Sequence, residues 1–156
     1  MTHCMKLIAG LFVFSFAASV YAERGTFDNI HCYSGQPQTL KHSDTNMANV
    51  AMFQGTVRAT SPGQVFDNMS TQCAGLYGQM DGAIFSQGFC EWSDSDGDRF
   101  FFRYDRKGTE GMFRSVSGTG KYQAMAVEGS YVIMRFPPRP GILQGCSQNK
   151  GSWHRP

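Results

Sequence analysis

The chain lacks any block of like charge. Its 14 Lys and Arg and 12 Asp and Glu are interspersed and leave a formal net charge of +2. The electrostatic footprint of a nucleic-acid binder is therefore missing. There is no CxxC pair, no HExxH and no other paired-histidine spacing, which sets aside the usual zinc patterns. No GxSxG elbow frames a serine nucleophile. His31, His42 and His154 stand apart in sequence, and no catalytic triad, resident metal or cofactor is expected. Long helical periodicity is scarce. The one long apolar run, Leu7 to Ala18, is too short for a transmembrane helix, which takes ~20 residues.

That run has an address instead. Lys6 precedes it, and Val20 and Ala22 provide the small residues of a cleavage site after Ala22. Residues 1–22 are expected to be a secretory signal peptide, and residues 23–156 one domain with a single core. The protein is then exported, periplasmic or extracellular. Cys4 leaves with the leader, and Cys32, Cys73, Cys90 and Cys146 remain. An even count in an exported chain predicts two disulfides.

What is present in quantity is glycine, 18 residues, with short aromatic or apolar runs between turn signals. This is the pattern of an all-β sandwich or barrel. Phe27 to Tyr33 is a first strand, ended by Ser34-Gly35 and Pro37. Residues 36–46 are loop-like. Met47 to Thr60 puts Ala51, Phe53, Gly55, Val57 and Ala59 on one face. Thr71 to Gly78 and Ala83 to Trp92 pair around Asp81-Gly82. Arg99 to Asp105 follows an acidic turn, Gly111 to Ser117 follows Lys107-Gly108, and Gly129 to Phe136 is stopped by prolines. The tail from Gly141 is polar and adds at most an edge strand. The expectation is one antiparallel barrel of seven to eight strands, whose closure removes exposed edges. Pairing around Asp81-Gly82 sets Cys73 opposite or nearly opposite Cys90, and leaves Cys32 and Cys146 to join the termini. Of three possible connectivities this one is preferred.

Asp94, Asp96 and Asp98 have the spacing of a calcium loop, with Asp105 at its twelfth position. Arg99, however, stands where that loop needs glycine, and the flanks are strands. A solvated hairpin turn is the better reading. SGTGKY, residues 117–122, meets neither glycine-rich phosphate fingerprint and reads as a barrel corner. In the hairpin, Phe100, Phe102 and Tyr104 share one face, and Phe101, Arg103 and Asp105 the other. Glu91, Arg103 and Tyr104 are the candidate ligand-binding residues, because an inward charge needs a partner.

The run DSDGDRFFFRYD followed by SGTGKYQAMAVEGSY resembles the allene oxide cyclase and dirigent-like (calycin-type) barrels, including exported bacterial proteins of unassigned role. The likeness covers mainly residues 82–134 and rests on turn chemistry. It implies an eight-stranded antiparallel barrel. Plant members of that group guide cyclisation or radical coupling, but no catalytic set matches residue by residue. The leading expectation is a non-catalytic exported barrel that binds a small apolar ligand or a protein partner. The alternatives are a cyclase- or dirigent-like barrel steering a reactive intermediate, and a structural envelope protein acting through its outer surface.

Overall fold

A computed structural model describes residues 22–134, 136–137 and 139–156. The expected signal peptide, Ala22 apart, lies outside the described residues, as does Cys4. The strands are β1 (Glu23–Lys41), β2 (Met47–Ala59), β3 (Met69–Met80), β4 (Ala83–Ser93), β5 (Arg99–Lys107), β6 (Glu110–Gly118), β7 (Ala126–Met134) and β8 (Leu143–Arg155). Each pairs antiparallel with the next, and β8 pairs with β1 to close the barrel. All-β architecture, eight strands and both disulfides stand as expected.

Period-two alternation builds the interior. On β4 and β5 the inward pairs are Trp92 with Phe100, Cys90 with Phe102, Gly88 with Tyr104 and Ser86 with Arg106. Asp81 (φ 50°) and Gly82 (φ 79°) both take positive φ, as a two-residue hairpin turn requires. That turn sets the register that faces Cys73 with Cys90. The Cys73–Cys90 bridge is buried inside the barrel. Cys32–Cys146 lies on the outer face and clamps the β1–β8 seam across 114 residues of sequence.

Several elements differ from expectation. β1 does not stop at Ser34-Gly35 but runs on to Lys41. Its pairing with β8 ends at Gly35, while β2 partners it throughout the extension. Pro37 thus sits where one neighbour has already left, a place that tolerates a missing N–H. The polar tail is no edge: β8 is bonded to both β7 and β1. Its inward residues are Gly145, Ser147, Asn149 and Gly151, which hide the apolar alternation that marks a two-sided strand. β7 begins and ends earlier than expected, at Ala126 and Met134.

The two ends of the barrel carry different connections. Residues 60–68, 94–98 and 119–125 cross one end, and 42–46, 81–82, 108–109, 136–137 and 139–142 the other. The first end is filled. Phe66, from the β2–β3 connection, is 1% exposed and packs on Phe27, Phe100 and Tyr122 with ring centroids 5.2, 4.7 and 5.5 Å away. Tyr122 comes from a short 3-10 turn, Gly120–Tyr122, in the SGTGKY corner. The acidic turn is tied to the same corner: Lys121 Nζ lies 2.8 Å from Asp94 Oδ2 and 2.9 Å from Asp96 Oδ2. Asp94 Oδ1 accepts from the backbone N–H of Asp96 and of Asp98. Burial pushes the Asp94 carboxyl upward, but the Lys121 and backbone hydrogen bonds outweigh it and hold it below the usual range. The cation at this turn is the protein's own lysine.

Candidate ligand cavity

The opposite half of the interior is not filled. A cavity of about 500 Å³ lies there, bounded by side chains from every strand. Trp92, Phe102 and the Cys73–Cys90 bridge form its floor, and Phe53 and Phe113 its walls. Ile84, Ile133, Met134, Phe136 and Leu143 make an apolar rim. Phe136 is half exposed at that rim. The space has a local cause. Gly75, Gly88 and Gly111 occupy inward positions, where large side chains would otherwise meet at the axis. A Cβ at Gly75 or Gly88 would collide with Tyr104 Oη, and one at Gly111 with the Tyr131 ring. The tyrosines therefore lie flat against the wall, which leaves the centre open.

Four tyrosines, Tyr33, Tyr77, Tyr104 and Tyr131, point into this half. Tyr104 and Tyr131 meet edge to face at 6.2 Å, and Tyr131 Oη lies 3.4 Å from Ser86 Oγ. Burial raises all four phenols above their ordinary range; the nearby Arg106 charge pulls Tyr33, Tyr104 and Tyr131 part of the way back. At neutral pH they are uncharged hydroxyl groups that donate, not bases. His31, 5% exposed, has Nε2 2.9 Å from Thr71 Oγ1. Burial lowers its pKa to about 4, so the ring is neutral under ordinary conditions. Beside it, Asn149 donates to Asn29 Oδ1 at 2.8 Å, and Ser147 donates to Asn149 Oδ1 at 3.0 Å.

Among the described residues, no Asp or Glu lines the cavity. A His–carboxylate pair for general acid–base work is not assembled there. No group of three His, Cys, Asp or Glu among the described residues is placed to hold a metal ion.

The three candidate binding residues from the sequence are separated by strand parity. Tyr104 lines the cavity. Glu91 faces outward, 3.6 Å from Arg99 Nη1. Arg103 is exposed on the same outer wall, opposite Phe89 on one side and Arg114 on the other. The structure therefore does not bring Glu91 and Arg103 together with Tyr104, since adjacent positions on a strand point to opposite sides. Phe101 also faces out, stacked on Phe89 at 5.6 Å. The inward charge is Arg106, two residues beyond Tyr104 on the face already marked by Phe100 and Phe102. Extending that alternation by one step would have found it.

No family model matches the chain, and no curated protein matches it. Among solved structures it is similar to the pterocarpan synthase dirigent protein PsPTS1, at 11% identity and a TM-score of 0.52, over 85% of this chain and 96% of that one. A second pterocarpan synthase dirigent protein, GePTS1, gives 10% identity and a TM-score of 0.53, over 92% and 98%. At such identities the shared property is the barrel fold.

Proposed function

We propose that this protein is an exported, non-catalytic carrier that holds a small, mainly apolar, ring-bearing ligand in the open half of its barrel. The observation that supports it most is the 500 Å³ cavity, with aromatic walls and a few convergent polar groups. Trp92, Phe102 and Phe113 offer flat apolar surface, and Tyr104, Tyr131 and Ser86 offer hydroxyls to the ligand's polar end. Two disulfides fit an oxidising compartment, in keeping with the signal-like residues 1–22.

The neutral fluorophore N-phenyl-1-naphthylamine tests this directly. The wild-type protein should bind one equivalent with a Kd in about the micromolar range, and Ser86→Leu, which fills the cavity, should abolish binding while the fold survives. Unaltered binding to Ser86→Leu would move the site to the outer face and sink the carrier reading.

A second reading has its own support. Two pterocarpan synthase dirigent proteins share the barrel, and here neutral tyrosine donors stand beside an aromatic floor. On this reading the cavity steers a reactive ring-bearing intermediate. Chiral chromatography of products formed from a phenolic precursor with and without the protein separates the two. A racemic product in both samples leaves the carrier.

A further inference from the structure

Arg106 is the one charged side chain among the described cavity-lining residues. It forms no ion pair with any carboxylate of the described residues. The remaining residues, 1–21, 135 and 138, include no Asp or Glu. Its Nε is buried without a hydrogen-bond partner. Its neighbours on β5, Asp105 and Lys107, are exposed on the other side of the sheet. A part-buried guanidinium that faces a cavity with its Nε shut off from water normally has a carboxylate or phosphate as partner. Here it has hydroxyl groups only: Tyr33, Tyr104 and Tyr131 are the groups that feel its charge.

We infer that the ligand is an organic monoanion, whose oxyanion sits against Arg106 and the tyrosine hydroxyls while its ring system fills the aromatic half of the cavity. This rests on the carrier reading and narrows it to acids. The planar guanidinium presents a fork of N–H donors that matches a carboxylate or sulfonate in a two-point contact, which a lysine would not reproduce. Phenolic O–H groups add donors and no competing negative charge. The wall thus offers a cation and several donors to one end of the ligand, and hydrocarbon to the rest. A neutral ligand would leave the cation uncompensated in a low-dielectric site, so the pocket discriminates by charge and not only by shape.

The test uses two probes that share one skeleton. 8-Anilino-1-naphthalenesulfonate carries an anion, and N-phenyl-1-naphthylamine is its neutral counterpart. Wild-type protein should bind the anion about tenfold or more tightly than the neutral probe. In Arg106→Gln the ratio of the two affinities should fall to about one; Arg106→Lys should retain part of the preference. Without ligand, Arg106→Gln should melt at or above the wild-type temperature, because it removes an unpaired charge. Equal affinity of wild type for both probes overturns the inference and leaves the carrier intact. So does a preference that survives Arg106→Gln, which would place the anion on the outer face. An Arg106→Gln variant that fails to fold overturns it as well, by showing that the charge serves the barrel itself. Failure of both probes to bind wild type removes the carrier reading and this inference together.

Discussion

The two halves of the barrel interior are built from the same strands and the same alternation, yet one is solid and the other open. The filled half is crossed by connections long enough to turn inward. Residues 60–68 deliver Phe66 and residues 119–125 deliver Tyr122, and the two rings stack on each other and pack against Phe100. At the other end, the turns at 81–82 and 108–109 are two residues long, too short to fill a core, and the longer connection before β8 leaves Phe136 half exposed at the rim. Inward Gly75, Gly88 and Gly111 add to the difference, because each neighbouring ring lies against the wall. Which connections send a ring inward, and where the inward glycines face a tyrosine, decide where this barrel has room.

The largest break in that contrast should come from Phe66→Ala. It removes a fully buried ring from the solid half, and about 3–5 kcal/mol of stability should be lost in urea unfolding. A loss below about 1 kcal/mol would mean that the plug is not packed as described. The next effect is one of pH. His31 stands at the boundary of the halves, in contact with the Trp92 ring at 5.7 Å and lining the cavity. Its folded pKa of about 4 lies below the unfolded value of 6.5. Between those values the unfolded chain takes up a proton that the folded protein refuses. Stability is therefore complete above pH 6.5, falls as pH drops through that window, and levels near pH 4. The total should be roughly 3 kcal/mol. Urea midpoints of wild type and His31→Gln across this range measure it. An identical pH profile in the variant would show that His31 is hydrated and that the cavity is wetter than its walls suggest.

Smaller effects should sharpen the comparison. Lys121→Ala unties the acidic turn from the corner beneath the plug and should cost about 1 kcal/mol, less at high salt. Chemical denaturation at two ionic strengths reads this. Tyr104→Phe, in the open half, should change stability by less than about 0.5 kcal/mol, since its hydroxyl has no partner in the hydrogen bonds described. Binding of the sulfonate probe to Tyr104→Phe should nevertheless weaken several-fold. A stability loss as large as that of Phe66→Ala would show that both halves are structural core.

Much of the fold was legible before any coordinates. Asp81-Gly82 and Lys107-Gly108 mark turns because positive φ favours glycine there, and Gly82 and Gly108 have it. Counting back from Asp81-Gly82 faced Cys73 with Cys90, and parity grouped Phe100, Phe102 and Tyr104. The site was only partly legible. Tyr104 lines the cavity, but Glu91 and Arg103 lie outside it, and Arg106, His31 and Tyr131 were not singled out as ligand contacts. The polar tail from Gly141 reads as an edge, but its Ser147 and Asn149 point inward, buried in hydrogen bonds to each other and to Asn29.

By itself the sequence determined the strand alternation, the tight turns and the facing of Cys73 with Cys90, because these depend on residues close in the chain. Period two says which residues share a face. It does not say which face is inside, because that depends on the closure of β1 on β8, with Cys32 and Cys146 114 residues apart. Only the tertiary structure placed Phe66, at a positive φ of 62°, as the plug of one end. Only the closed barrel brought Tyr33, Tyr104 and Tyr131 from three strands to one arginine. The reason is physical: local geometry is set by neighbours in sequence, whereas a cavity and its charge are set by groups that meet across the barrel.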